Sequence, residues 1–131
     1  MMTTSKYVGA VFITFSGNCR KALTYYQTCF GGTIAFDTLE TEIQGYTEKP
    51  VVIGSLVSDS IIIHGSDLIH NEGRIRGNYL SVFLQCNTIG ERQALIEKLE
   101  FGKTHRVIID DVCQKLIEVI DSFDVRWVIA I

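Results

Sequence analysis

Few side chains in this 131-residue chain combine reactive chemistry with a setting that could use it. Of its three histidines, His64 closes the apolar run Ser60-Ile61-Ile62-Ile63-His64 and turns toward a glycine, whereas His70 and His105 sit among polar neighbours and read as solvated. An imidazole at a strand end could donate a hydrogen bond, act as a general base or serve as a lone metal ligand. The plainer alternative, and the preferred one, is a histidine satisfied by a backbone group or water. Trp127, the single tryptophan, offers either a stacking surface or core packing. Tyr79 could present its hydroxyl to a ligand or simply reach solvent. Cys113 is the one thiol outside an obvious helix or central strand. A nucleophilic role would require a nearby base, for which Asp110 and Asp111 are poor candidates, so it reads as an inert or ligand-lining thiol.

The four cysteines, Cys19, Cys29, Cys86 and Cys113, have no Cys-x-x-Cys spacing and lie in or beside apolar stretches. This leaves zinc and redox motifs unsupported and favours buried, reduced thiols in a reducing compartment, the cytoplasm. At 47% apolar and 21% charged residues, with one proline, the composition is that of a single globular domain over residues 1–131. The net charge of −3 and the scattered basic residues argue against nucleic acid. No apolar run approaches the roughly 20 residues of a membrane span. Val8 to Phe15 faintly mimics a secretory signal, but its alternation of small and large side chains fits a strand, and Asn18 is a poor cleavage residue.

The elements that must position these groups follow from periodicity. Tyr7 to Phe15 reads as a strand. Cys19, Ala22, Leu23, Tyr26 and Phe30 then recur at helical spacing, with Asn18 placed as N-cap and Gly31-Gly32 as the stop. Strands are expected at Thr33 to Leu39, Val51 to Val57 and Ser60 to His64, the last two joined tightly around Ser58-Asp59. Glu40 to Pro50 reads as a polar loop, and Gly65 to Gly77 as a connector. The second half repeats the order: a strand at Tyr79 to Cys86, then a helix opened by the capping box Thr88-Ile89-Gly90-Glu91. That helix runs through Ala94, Leu95, Ile96 and Leu99 and stops at Gly102. Three strands follow, at Lys103 to Ile109, Gln114 to Asp121 and Val125 to Ile131. Ala22-Leu23 with Phe30-Gly31-Gly32-Thr33, echoed by Ala94-Leu95 with Phe101-Gly102-Lys103-Thr104, supports a repeat. The fold class is α+β, two βαβββ modules over approximately residues 5–66 and 77–131.

Gly17-Asn18-Cys19-Arg20-x-Ala22-Leu23-x-x-Tyr26, then Phe30-Gly31-Gly32, with Phe123-Asp124-Val125-Arg126-Trp127 near the end, resembles the vicinal-oxygen-chelate superfamily. This is the fold of glyoxalase I and the bleomycin-resistance proteins, and the likeness is greatest to the PhnB-like branch. The resemblance implies curled mixed sheets forming a cavity, and a homodimer. His64, Tyr79, Cys113 and Trp127 are the candidates from the residues themselves to bind a ligand there. Many members hold a divalent metal, but the positions it implies fall near Val11, His64, Leu80 and Val128, of which His64 alone could ligate. Metal-dependent chemistry is therefore not expected, and no cofactor is. Asp124 replaces the branch's usual glycine, and Asp110-Asp111-Val112-Cys113 stands where an Asp and Trp-Gly are usual. Some relatives are labelled ubiquinone-pathway methyltransferases, an activity that needs a nucleotide-cofactor fold and a glycine-rich loop, neither of which is found.

The first functional expectation is a metal-independent protein binding a small organic ligand. The alternative is a lyase, isomerase or dioxygenase using His64 in a metal or acid–base site, with Glu118 the one carboxylate that could join it. A third reading is a homodimer whose cavity is filled by side chains. The catalytic residues, if any, are not identified.

Overall fold

The computed structural model describes residues 8–41, 49–68 and 77–131. Tyr7, His70, most of the polar loop and most of the connector lie outside them. The chain is α+β and divides into two compact units, Met1–Arg74 and Ile75–Ile131. The first contains β1 (Val11–Thr14), α1 (Cys19–Phe30), β2 (Thr33–Thr38), β3 (Val51–Val57) and β4 (Ile62–Ser66). The second contains β5 (Val82–Gln85), α2 (Ile89–Leu99), β6 (Leu116–Ile120) and β7 (Arg126–Ala130).

In the first unit the sheet order is β1-β4-β3-β2, with β1 parallel to β4 and the other pairs antiparallel. The expected helical stripe is the core: Cys19, Ala22, Leu23 and Tyr26 are fully buried together with Leu56 and Ile63 of the sheet. Burying each large apolar side chain contributes roughly 1.5–3 kcal/mol, so the stripe holds the helix in place. Close approach is permitted by Gly54 and Gly65. A Cβ on Gly54 would stand 2.7 Å from Leu23 Cδ1, and one on Gly65 2.8 Å from Phe15 Cε2 and 3.1 Å from Cys19 Sγ.

The start of α1 is capped from elsewhere in the chain. Asn18 occupies the N-cap position, but its side chain makes no capping bond and its buried Oδ1 has no partner. The buried Asp67, just beyond β4, does the work: Oδ1 accepts from the N–H groups of Gly17 (2.8 Å) and Cys19 (3.1 Å), and Oδ2 from that of Val51 (3.0 Å). The link between β3 and β4 also departs from expectation. Val57 pairs with Ile62, so four residues, 58–61, connect the strands, closed by Ser58 Oγ accepting from the Ile61 N–H at 2.9 Å. Strand β4 consequently begins and ends two residues later than the tight hairpin implied.

In the second unit the order is β5-β7-β6, with β5 parallel to β7 and β6 antiparallel to it. Thr88 caps α2 as expected, its Oγ1 accepting from the Glu91 N–H at 3.1 Å. The buried face, however, is Arg92, Ile96 and Leu99, with Ala94 exposed and Leu95 half-buried. Arg92 donates to the carbonyls of Val112 (2.9 Å), Lys115 (3.3 Å) and Ile129 (3.4 Å). Residues 103–109 form no strand. Local bonds take groups that a strand there would need: the Val107 N–H donates to the buried Glu100 carboxylate at 2.7 Å, and the Lys103 amine donates to the Ile120 carbonyl at the edge of β6. The first unit is thus βαβββ and the second, over its described residues, βαββ.

Candidate functional site

The side of the first sheet away from α1 carries the most suggestive geometry. Strand alternation sends Ile63 and Leu56 to the helix and places His64, Ser55, Phe12, Ile53 and Val57 on the other face. His64 stands directly across from Ser55 in the antiparallel pair and beside Phe12 in the parallel one. Ser55 Oγ and His64 Nδ1 are 2.7 Å apart, a hydrogen bond whose direction the histidine tautomer sets. Both residues are half-buried, while Phe12 (51%), Val57 (50%) and Ile53 (43%) are exposed around them. The face therefore offers a fixed imidazole beside apolar side chains, with the exposed Asp37 and Thr33 of β2 across from Ile53 and Val57, able to hydrogen-bond a ligand or move a proton through Nε2.

The other expected site residues lie in the second unit and do different things. Trp127 is fully buried on the α2 side of the sheet, its indole N–H donating to Asp121 Oδ2 at 2.8 Å. Asp121 is itself buried, and its Oδ1 accepts from the N–H groups of Phe123 (2.8 Å) and Val125 (3.1 Å). Trp127 is thereby core, placed by β7 alternation on the inward side with Ile129. Tyr79 is exposed and precedes β5, at the end of the sheet where β7 begins. Cys113 is exposed and precedes β6, at the opposite end. Its own N–H donates to Asp111 Oδ1 at 2.9 Å, which turns that carboxylate to the backbone. Tyr79, Cys113 and Trp127 are therefore not brought together.

All four thiols are unbridged. Burial pushes the Cys19 thiol up to about 12, with the Asp67 carboxylate adding to the effect and Arg20 opposing it. Burial likewise raises Cys86, with Glu91 adding and Arg92 opposing. Neutral thiols are poor nucleophiles, so these two are structural.

No family model matches the chain, and no curated protein matches it. Solved structures do. Protein PA1353 from Pseudomonas aeruginosa superposes with a TM-score of 0.76 at 21% identity, over 95% of this chain and 97% of that one. A PhnB protein from Bacillus cereus, whose name adds 3-demethylubiquinone-9 3-methyltransferase, gives 0.72 at 16% identity over 96% and 98%. The fold is PhnB-like. A gene product of Arabidopsis thaliana gives 0.54 at 14% identity, over 98% of this chain and 100% of its own. Identities this low speak for the PhnB-like fold and leave function to the side chains.

Among the described residues, the side chains beside His64 do not make up a divalent metal site of the kind the resemblance implies. Beside His64 in the sheet stand Phe12 and Ser55, and Val128, the corresponding residue of β7, stands beside Phe83. Among the described residues no group of three His, Cys, Asp or Glu side chains is placed to hold an ion. Among these residues, too, no helix is long and apolar enough to cross a membrane.

Sequence reasoning missed Ser55 because it set the β3–β4 turn two residues too short, which would have paired Ser55 with Ile62. Asp67 was missed because a long-range cap leaves no local spacing to read. The signal for Asp121 was present: an Asp closing a strand before Ser-Phe-Asp is turn chemistry, its carboxylate free to take N–H groups two and four residues on.

Proposed function

We propose that the chain is a metal-independent protein that binds a small organic ligand, acting as a homodimer in the cytoplasm. The observation that carries this reading is the Ser55–His64 pair, 2.7 Å apart and half-buried beside the exposed apolar side chains of Phe12, Ile53 and Val57. A ligand with an apolar body would cover Phe12 and Val57 and direct one polar group to His64 Nε2. Such a mixture of apolar wall and few fixed polar groups is what small-molecule sites use. The neighbours of His64 supply a hydroxyl and a phenyl ring, which favours hydrogen bonding over metal ligation.

Native mass spectrometry of protein purified without chelators or added metal tests the proposal. A dimer carrying an organic mass that is lost in His64→Ala supports it, and one metal ion per subunit overturns it. The same hydrogen bond favours a second reading, an enzyme in which Ser55 holds His64 as a general acid or base. Recovery of a chemically altered compound after incubation, abolished in His64→Gln, would select that reading.

A further inference from the structure

A polar cavity of about 450 Å³ opens at one end of the second unit's sheet, lined by Gly77, Asn78, Ile120, Asp124 and Arg126. Topology creates it: β5 and β7 run parallel and start here, and the antiparallel β6 ends here. The volume lies in the range of small-molecule sites, roughly 300–1,000 Å³. We infer that this cavity binds a dipolar ligand, one bearing a carboxylate next to an ammonium group and a short aliphatic side chain.

Arg126 supplies the anion contact. Its Nη1 donates to Glu118 Oε1 at 2.9 Å across the sheet, which fixes the guanidinium while engaging one of its N–H groups. A guanidinium has five donors in a planar fork, so the remainder of the fork can take a carboxylate in the cavity wall. Asp124 supplies the opposite charge. It alone among the described non-glycine residues has a positive φ, 67°, imposed by the turn in which its N–H donates to the Asp121 carbonyl and the Asp121 N–H to that of Val125. Glycine would adopt this backbone without a Cβ penalty. An aspartate there sets a carboxylate in the cavity at the expense of local strain, the pattern seen where backbone strain serves a site. A carboxylate offers about four acceptor positions, so other bonds to Asp124 leave room for an ammonium group. Asn78 adds an amide able to donate and accept, and Ile120 an apolar surface. A ligand of one charge would meet a like-charged wall, whereas a dipolar one satisfies both.

The test is titration of the full chain with L-leucine, followed by amide chemical shifts in two-dimensional NMR. The one-charge analogues 3-methylbutylamine and 4-methylpentanoate are titrated in parallel. Saturable shifts at Asn78, Asp124 and Arg126 are expected, with each analogue at least about tenfold weaker. Asp124→Gly relieves the strained backbone, so its Tm is expected to hold or rise while leucine affinity falls at least about tenfold. Arg126→Gln provides the second variant, with the same loss and an unchanged fold. No saturable shift with leucine, equal binding of the analogues, or full affinity in Asp124→Gly would each overturn the assignment.

Discussion

Replacing Asp67 by alanine is expected to destabilise the protein by roughly 4 kcal/mol, whereas replacing the residue at the helix N-cap position, Asn18, changes stability by less than about 0.5 kcal/mol. Asp67 accepts three backbone N–H bonds at 2.8, 3.1 and 3.0 Å, two of them buried. Leaving a buried donor unsatisfied costs about 1–3 kcal/mol. Taking about 1.5 kcal/mol for each of the buried Cys19 and Val51 groups, and about 1 for the part-buried Gly17 group, gives the total. Asn18, by contrast, has an unpartnered Oδ1, so its removal breaks no capping bond. Asp67→Asn keeps one acceptor oxygen and turns an amide N–H toward a donor, so about half the loss is expected. Urea unfolding measures all three. With a slope near 2 kcal/mol/M, Asp67→Ala moves the midpoint down by about 2 M. If Asn18→Ala cost more than about 1 kcal/mol and Asp67→Ala less than that, the helix would be capped locally and the long-range account would be refuted.

Three further perturbations follow from individual contacts. The Cys19 thiol stays neutral in the fold up to about 12 but ionises near 9.0 in the unfolded chain. Stability is therefore fully present below pH 9 and falls between pH 9 and 12, with a slope approaching about 1.4 kcal/mol per pH unit, a fall that Cys19→Ala should flatten in urea midpoints taken across that range. Ser55→Ala removes the partner of His64 Nδ1, so the imidazole ¹⁵N shifts should move toward an even tautomer mixture; unchanged shifts would show that the bond does not orient the ring. Gly65→Ala forces a methyl group to 2.8 Å from Phe15 and 3.1 Å from Cys19, and should cost about 1–3 kcal/mol by thermal or urea unfolding.

The architecture was legible because period and punctuation are local. The stripe from Cys19 to Tyr26, the stop at Gly31 and the Thr88–Glu91 cap all follow from neighbouring residues, and the structure realises each of them. Residues 103–109 misled because a β-branched run such as Val107-Ile108-Ile109 suits a strand without saying whether a partner strand takes the backbone bonds. There the Glu100 carboxylate and the Lys103 amine use groups that a strand pairing would need. The repeat was read from the wrong letters. By position from the N-cap, Ala22 corresponds to Arg92, so the Ala-Leu echo is off by two residues. The aligned repeat is Val11-Phe12-Ile13 with Val82-Phe83-Leu84, whose phenylalanines are 51% and 57% exposed on equivalent strand positions.

That corrected alignment explains why the two units differ in what they can bind. In the first, β4 places His64 on the open face, and in the second β7 places Val128 there, so the equivalent position has lost its polar atom. Each unit nevertheless keeps one buried aspartate accepting two backbone N–H groups on Oδ1, although Asp67 follows β4 and Asp121 follows β6. Oδ2 then takes the Val51 amide in one case and the Trp127 indole in the other. A carboxylate in this role fixes a turn from inside the core, which frees the outward residues of that turn from structural duty. In the second unit the outward residue of the turn is Asp124, which shares the polar cavity with Arg126 at the start of β7. Loss of Asp121 should therefore disturb the cavity as well as the core, and Asp121→Asn should broaden the Asp124 and Arg126 amide resonances while the first unit's spectrum stays in place. Unmoved resonances at those two residues would show that the turn holds its shape without the buried carboxylate.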